Sequence, residues 1–310
     1  MMKIKHILVI MDPTIDQQPA LSKAIALAKV FDASIELFLV VYHSGLTPKW
    51  FNQEHPREQI IANYLNTKQR WLDTYLADVA KEQLLVTSEV RWHKPLYAEI
   101  LRKIDECHAD LVIKSTHQHP SMNKILFTPN DWQLLKSCPA PLLLAKASTL
   151  ENYTNVMAAV DLDTSVNKEE KSLDSIILDT TVMIAEYLNA SAHVIHSYDP
   201  MGHELWQGGD IGVFGYDIAS FDSMLTQEQL LEFHEKEFSR LIDHYAFDEQ
   251  HSHLVQGLVQ YNLQEAVDQH QIDLLVMGVR SHSGFISNTA EKILDEINCD
   301  ILAVKSLPQT

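Results

Sequence analysis

The sequence predicts an α/β protein made of two similar domains in tandem, each with a parallel sheet covered on both faces by helices. Three observations carry that expectation. The chain has 310 residues, enough for two cores of ordinary size. Short apolar runs of strand length alternate with stretches of helical period, and nearly every residue of those runs is apolar, as in strands buried on both faces. The order of these segments in the first half is then written again in the second.

Element by element, His6-Ile-Leu-Val-Ile-Met-Asp12 reads as a buried strand ending in an acid, and Asn155-Val-Met-Ala-Ala-Val-Asp161 repeats that design. Amphipathic helices follow, marked by Ala20, Ala24, Leu27, Ala28 and Phe31 and by Leu178, Val182, Ala185 and Leu188. The runs 35–41 and 192–198 are second strands. A long helix then precedes the third strand in each half, with Ile61, Leu65, Leu72, Leu76 and Val79 in one and Leu230, Phe238, Leu241, Ile242 and Tyr245 in the other. Asp110-Leu-Val-Ile-Lys114 pairs with Asp273-Leu-Leu-Val-Met-Gly278 as fourth strands. After a loop and a helix, Cys138 and Cys299 each stand just before a last strand, a place for a small buried apolar residue. The seam falls near residues 147–153, giving domains of 1–148 and 153–310. Residues 199–223, with five glycines, form a loop insertion that the first half lacks.

The chain is 46% apolar and 21% charged, the balance of a globular protein, and its net charge is −18. That charge disfavours nucleic acid and anionic membrane as partners. Asp199–Gln250 alone holds twelve acidic residues against Lys236 and Arg240, which reads as a solvated face. The apolar core of the first strand is about six residues, too short for a signal peptide or for the roughly 20 residues of a membrane span. Cys107, Cys138 and Cys299 make no disulfide framework, so the expected location is cytoplasmic.

Several segments are more specific: Met11-Asp-Pro-Thr with Gln18-Pro-Ala-Leu, Trp92-His93, His117-Gln-His119, Phe127-Thr-Pro-Asn-Asp-Trp132 and Ser287-Asn-Thr-Ala-Glu291. In these the chain resembles the tandem two-domain universal stress proteins of E type over almost its whole length. The resemblance implies two flavodoxin-like (adenine-nucleotide alpha-hydrolase-like) domains, each a five-stranded parallel sheet in order 3-2-1-4-5. It also implies a ligand crevice at the carboxyl ends of strands 1 and 4, where strand order reverses. In nucleotide-binding relatives an Asp after strand 1 contacts adenine, and a Gly-x2-Gly-x9-Gly-Ser/Thr loop after strand 4 holds ribose and phosphates. Glycines let backbone N–H groups approach phosphate, and the hydroxyl residue opens a helix whose N-terminus favours anions.

The second half fits this pattern in part. Asp161 takes the adenine position, and the loop runs Gly278-Val-Arg-Ser281-His-Ser-Gly284-Phe-Ile-Ser287-Asn288-Thr289, with Ser281 and Ser287 in glycine places and the spacer of nine cut to five. Asp161, Gly278, Gly284, Ser287, Asn288 and Thr289 are the nucleotide candidates, for ATP; a capped helix with no ligand is the open alternative. In the first half Lys114, His117 and Phe127 stand in the glycine places and Thr128 in the hydroxyl place, so ATP is not expected there in the family manner. Asp12, Lys114, His117 and Thr128 are candidates for a different pocket, with Lys114 expected to pair with Asp12. Thr128-Pro129 reads as a helix start.

Sixteen histidines raise a metal question. His117 and His119 are the zinc candidates, with a third ligand hard to supply, since His43 and His93 end strands roughly 10 and 14 Å away. His193 and His196, three apart on a strand, face opposite sides, and His251 with His253 makes only a pair. The expected function is a stress-response binding protein, with ATP in the second domain and another small-molecule ligand or a protein partner for the first. The halves are expected to pair as an intrachain pseudo-dimer through their last strands, a homodimer of whole chains staying open. The chain has no P-loop lysine motif and no Gly-x-Ser-x-Gly elbow. A slow ATPase, using Arg280 and His282, and a purely partner-binding module are the alternatives.

Overall fold

A computed structural model of the chain describes residues 3–46, 54–118, 125–126, 128–146, 152–162, 173–199, 227–279, 294 and 296–305. The first half runs β1 (His6–Ile10), α1 (Pro19–Phe31), β2 (Ser34–Val41), α2 (Glu54–Lys81), β3 (Val86–Trp92), α3 (Leu96–Cys107) and β4 (Leu111–Ser115). A two-stranded ribbon, β5 (His117–Gln118) and β6 (Ile125–Leu126), leads to α4 (Pro129–Ser137) and β7 (Leu142–Ala145). The second half runs β8 (Asn155–Val160), α5 (Leu173–Leu188), β9 (Ser191–Tyr198), α6 (Gln227–Ile242), β10 (Ser252–Gln256), α7 (Val259–Gln269), β11 (Leu274–Gly278) and β12 (Asp300–Val304).

Within each half the five strands of the main sheet are parallel, in the orders β3-β2-β1-β4-β7 and β10-β9-β8-β11-β12, which is 3-2-1-4-5 twice. The halves join edge to edge. β7 and β12 pair antiparallel, Leu144 opposite Ile301 and Leu142 opposite Ala303, so one ten-stranded sheet runs through the molecule. Two like sheets related by a two-fold share an edge only in this antiparallel sense, and the pairing covers two edges that would otherwise present unpaired N–H and C=O groups.

Alternation along the strands splits the core into two layers. Ile7 and Val9 join α1 residues Ala24 and Leu27 and the α2 residue Leu72 on one face, in a cluster that continues through Leu143 and Leu302 to Ile177 and Phe238 of the second half. Leu8 and Ile10 join Ile100, Ile104 and Leu134 on the other, continuing to Leu263, Val267 and Ile301. Each layer is shared by both halves. Cys138 and Cys299 are buried as small apolar residues, and burial pushes their thiols up to about 11 and about 12.

Repeated acids have repeated work. Asp110 accepts from the N–H groups of Lys5 and His6 at 2.8 and 2.9 Å, and Asp273 accepts from those of Thr154 and Asn155 at 2.7 and 3.0 Å. Each acid ahead of a fourth strand thus ties down the start of the first strand. A second knot has no counterpart in the repeat. Asp300, fully buried at the start of β12, accepts from the backbone N–H of Lys146 at 2.7 Å and from the hydroxyl of Tyr153 at 2.7 Å, and lies 3.2 Å from the ammonium of Lys23 on α1. Lys23 Nζ also stands 4.2 Å from the centre of the Tyr153 ring. Tyr153, expected to belong to a seam, is instead buried, and burial with the adjacent carboxylate raises its hydroxyl pKa well above the ordinary value.

Of the 199–223 insertion, only Asp199 falls among the described residues. No helix of the described residues is long and apolar enough to cross a membrane.

Candidate functional site

Strand order reverses between β1 and β4 in the first half and between β8 and β11 in the second, so each half opens a crevice at the carboxyl ends of those strands. The sequence candidates described by the structure lie there. In the first half Asp12 follows β1 and closes a local turn, its Oδ1 accepting from the N–H and hydroxyl of Thr14 at 2.8 and 2.6 Å. The expected pair of Asp12 with Lys114 does not form. Lys114 Nζ instead lies 2.7 Å from Asp131, a wholly buried acid in the first turn of α4, and donates to Ser115 O at 3.1 Å. An ammonium on β4 sits nearer a helix that starts against the sheet than the turn above β1, and a buried charge takes the partner that is buried with it.

Asp131 serves two masters. Its Oδ2 accepts from the Thr128 N–H at 2.7 Å while the Thr128 hydroxyl accepts from the Asp131 N–H, a reciprocal capping box with Pro129 just inside the helix. Thr128 is thus the helix start that its sequence implies, and its hydroxyl belongs to the cap. The backbone of His117 lies in β5; His119 and Phe127 lie outside the described residues.

The second crevice is built differently. Asp161 follows β8 and is exposed, and its N–H donates to Asp174 Oδ1 at 3.1 Å, which fastens the end of β8 to the first turn of α5. Gly278 ends β11. A Cβ there would stand 2.5 and 2.8 Å from Leu173 side-chain atoms and 3.1 Å from Ile177, so glycine allows α5 to close on the strand end. We expect Gly278→Ala to cost about 1–3 kcal/mol by overpacking. Urea denaturation reads this, and an unchanged midpoint would show that Leu173 gives way freely. Gly284, Ser287, Asn288 and Thr289, with Arg280 and His282, lie outside the described residues.

Beside this crevice is a polar group that sequence reasoning did not assemble. His196 of β9 is buried, its Nδ1 3.0 Å from Val160 O and its Nε2 3.0 Å from His234 Nδ1 on α6, with Tyr198 stacked on His234 at 4.3 Å. A carbonyl only accepts, so Nδ1 carries the His196 proton and Nε2 accepts from His234. Burial lowers the pKa of both imidazoles, which favours this neutral arrangement.

His193, on the same strand, faces the other way, as its spacing from His196 requires. It is 6% exposed, and its Nδ1 is 3.3 Å from Nε2 of His253 on β10. The ring of His251 approaches that of His193 with centres 4.5 Å apart, and His270, just past α7, stacks on His253 at 4.1 Å. Burial, then the neighbouring imidazoles, pull His193 and His253 down to about 4. The sequence showed His251 and His253 as a pair. The pairing of β10 with β9 added His193, and the placement of α7 against that edge added His270.

The chain matches the model of the "Universal stress protein family" twice, over residues 3–146 and 152–305. It is 25% identical over 312 residues to universal stress protein E of Photorhabdus laumondii, covering 98% of this chain and 96% of that one. Against universal stress protein E of Escherichia coli K12 the identity is 24% over 306 residues, covering 97% and 94%. Solved structures agree in fold. A functionally unknown protein from Pseudomonas aeruginosa PAO1 superposes with a TM-score of 0.73 at 21% identity, over 98% of this chain and 93% of that one. A universal stress protein from Archaeoglobus fulgidus superposes with a TM-score of 0.68 at 13% identity, over 97% and 98%. With two matched repeats, each folded in order 3-2-1-4-5 and joined through last strands, the chain belongs to the universal stress protein family as a tandem of two of its domains.

Proposed function

We propose that this protein is a stress-response binding protein whose second half holds an adenine nucleotide, ATP being the first to test, while its first half serves another ligand or a protein partner. One observation carries the reading: the two crevices are chemically opposite. In the first, Lys114, Asp131 and Thr128 satisfy one another, so the cation and the hydroxyl that would meet a phosphate are already engaged. In the second, strand four ends in Gly278, whose missing side chain lets α5 close on the strand, and the exposed Asp161 that follows strand one is of a type that can hydrogen-bond adenine. Binding is favoured over catalysis because the sequence lacks a P-loop lysine motif to clamp a γ-phosphate. Free thiols at Cys107, Cys138 and Cys299 and a net charge of −18 suit a cytoplasmic protein that keeps away from nucleic acid and anionic membrane.

Titration calorimetry with Mg²⁺ and ATP tests this. One site per chain is expected, weakened at least about tenfold by Asp161→Ala, as a lost polar contact of about 1.4 kcal/mol implies. Thr128→Ala should leave the affinity unchanged. Loss in Thr128→Ala with none in Asp161→Ala would place the nucleotide in the first half and end the proposal; no binding at all would leave a partner-binding module. Single-turnover hydrolysis is expected far below the usual range of about 1–10³ per second, and multiple turnovers per second would make this an enzyme.

A further inference from the structure

We propose that His193, His253 and His270 form a binding site for a divalent transition metal ion, of which zinc is the type, at the outer edge of the second half's sheet. One ligand atom of each lies within 4.8 Å of one of the others in every pairing, with no backbone movement needed to bring them together. The three come from separate elements: β9, the edge strand β10 and the residue after α7. His193 Nδ1 and His253 Nε2 are 3.3 Å apart, which is about the separation of two ligands each roughly 2.0–2.1 Å from a tetrahedral ion.

Two further observations point to a ligand. His193 is 6% exposed, and its Nε2, the ring nitrogen turned away from the His253 contact, has no hydrogen-bond partner among the described residues, so no described acceptor there fixes the tautomer and Nδ1 can present its lone pair to an ion. Beside the three stands His251, whose Nδ1 is held by Asp248 at 2.5 Å; Asp248 also accepts from the backbone N–H groups of Gln250 and His251. A carboxylate on one ring nitrogen fixes an imidazole's orientation and turns the other nitrogen outward, the support that metal-binding histidines have. His251 packs edge-on against His193 beside the three, outside the set whose donor atoms all lie within 4.8 Å of one another.

A donor set made only of imidazole selects zinc, copper, nickel or cobalt over magnesium and calcium, which take oxygen ligands. The site is far from the nucleotide crevice. His193 lies near the start of β9, opposite Met157 of β8, whereas Asp161 follows the end of β8. The ion would pin β10, the exposed edge of the sheet, to β9 and α7. A metal that binds the folded form and not the unfolded one stabilises the fold by mass action, so the second half would be firmer in metal-replete conditions. This inference does not rest on nucleotide binding.

The test uses full-length protein stripped with EDTA and titrated with Co²⁺, whose tetrahedral imidazole complexes have intense visible d–d bands. One equivalent is expected to bind, be displaced by Zn²⁺, and survive in the double variant His117→Gln/His119→Gln. His253→Gln and His270→Gln, both at partly exposed positions, should each weaken binding at least tenfold. Absence of tetrahedral bands in the wild type, their retention in either single variant, or their loss in the double variant would overturn the site. X-ray absorption at the zinc edge of loaded wild-type protein decides independently of how the variants fold: three or more imidazoles are expected, and fewer would refute it.

Discussion

Replacing Asp300 by alanine is expected to lower the unfolding free energy by about 3–5 kcal/mol, the cost of removing one partner from a buried ion pair. Asp300 is 0% exposed and gathers Lys23 of α1, the Tyr153 hydroxyl and the Lys146 N–H around one carboxylate. Its loss leaves the Lys23 ammonium buried beside a tyrosine ring without that counter-charge. Lys23→Met should cost less, because Asp300 keeps two hydrogen-bond donors and the methionine fills the same space. The knot joins α1 of the first half, the connecting segment and β12 of the second, so Asp300→Ala should also weaken the coupling between halves. Guanidinium denaturation followed by tryptophan fluorescence and by circular dichroism checks both points. The wild-type transitions should coincide and those of the variant should separate. A loss under about 1 kcal/mol with coincident transitions would show that β7–β12 pairing and the two shared apolar layers hold the halves together unaided.

The second large effect is expected at Asp131. Asp131→Ala should cost about 3–5 kcal/mol by stranding Lys114, and the loss of one side of the capping box adds to this, caps being worth about 1 kcal/mol. Asp131 is fully buried and is the shared partner of Lys114 and Thr128, so these two candidate groups of the first crevice lose their anchor together. Thr128→Ala removes only the cap and should cost about 0.5–2 kcal/mol. The double variant Lys114→Met/Asp131→Leu removes both charges, and by the same reasoning should recover most of the loss. Urea denaturation of the three variants decides the matter. If the double variant is no more stable than Asp131→Ala, the cap rather than the ion pair dominates, and the crevice chemistry of the first half needs another explanation.

Much of this molecule is legible in its sequence, and the reason is periodicity. Strands buried on both faces must be apolar throughout, so His6–Ile10 and Asn155–Val160 announce themselves and each other. Helices packed on such a sheet must carry an apolar stripe, so the members of α1 and α5 are found by spacing alone. Thr128-Pro129 is likewise local chemistry, a cap within four residues of its own acid, and it folds as written. What sequence spacing does not contain is which side chains meet across the sheet. Lys114 reads as a neighbour of Asp12 because both end strands that lie side by side, yet a buried acid on α4 takes the charge. Asp300 reads as the start of a last strand, and its partners stand 147, 154 and 277 positions away. His193 becomes part of a cluster of four only when parallel pairing sets β10 beside β9 and α7 returns His270 to the same edge. Local patterns are dictated by burial, which every residue of a segment feels at once; polar partnerships depend on register and helix placement, which arise from the packing of the whole chain.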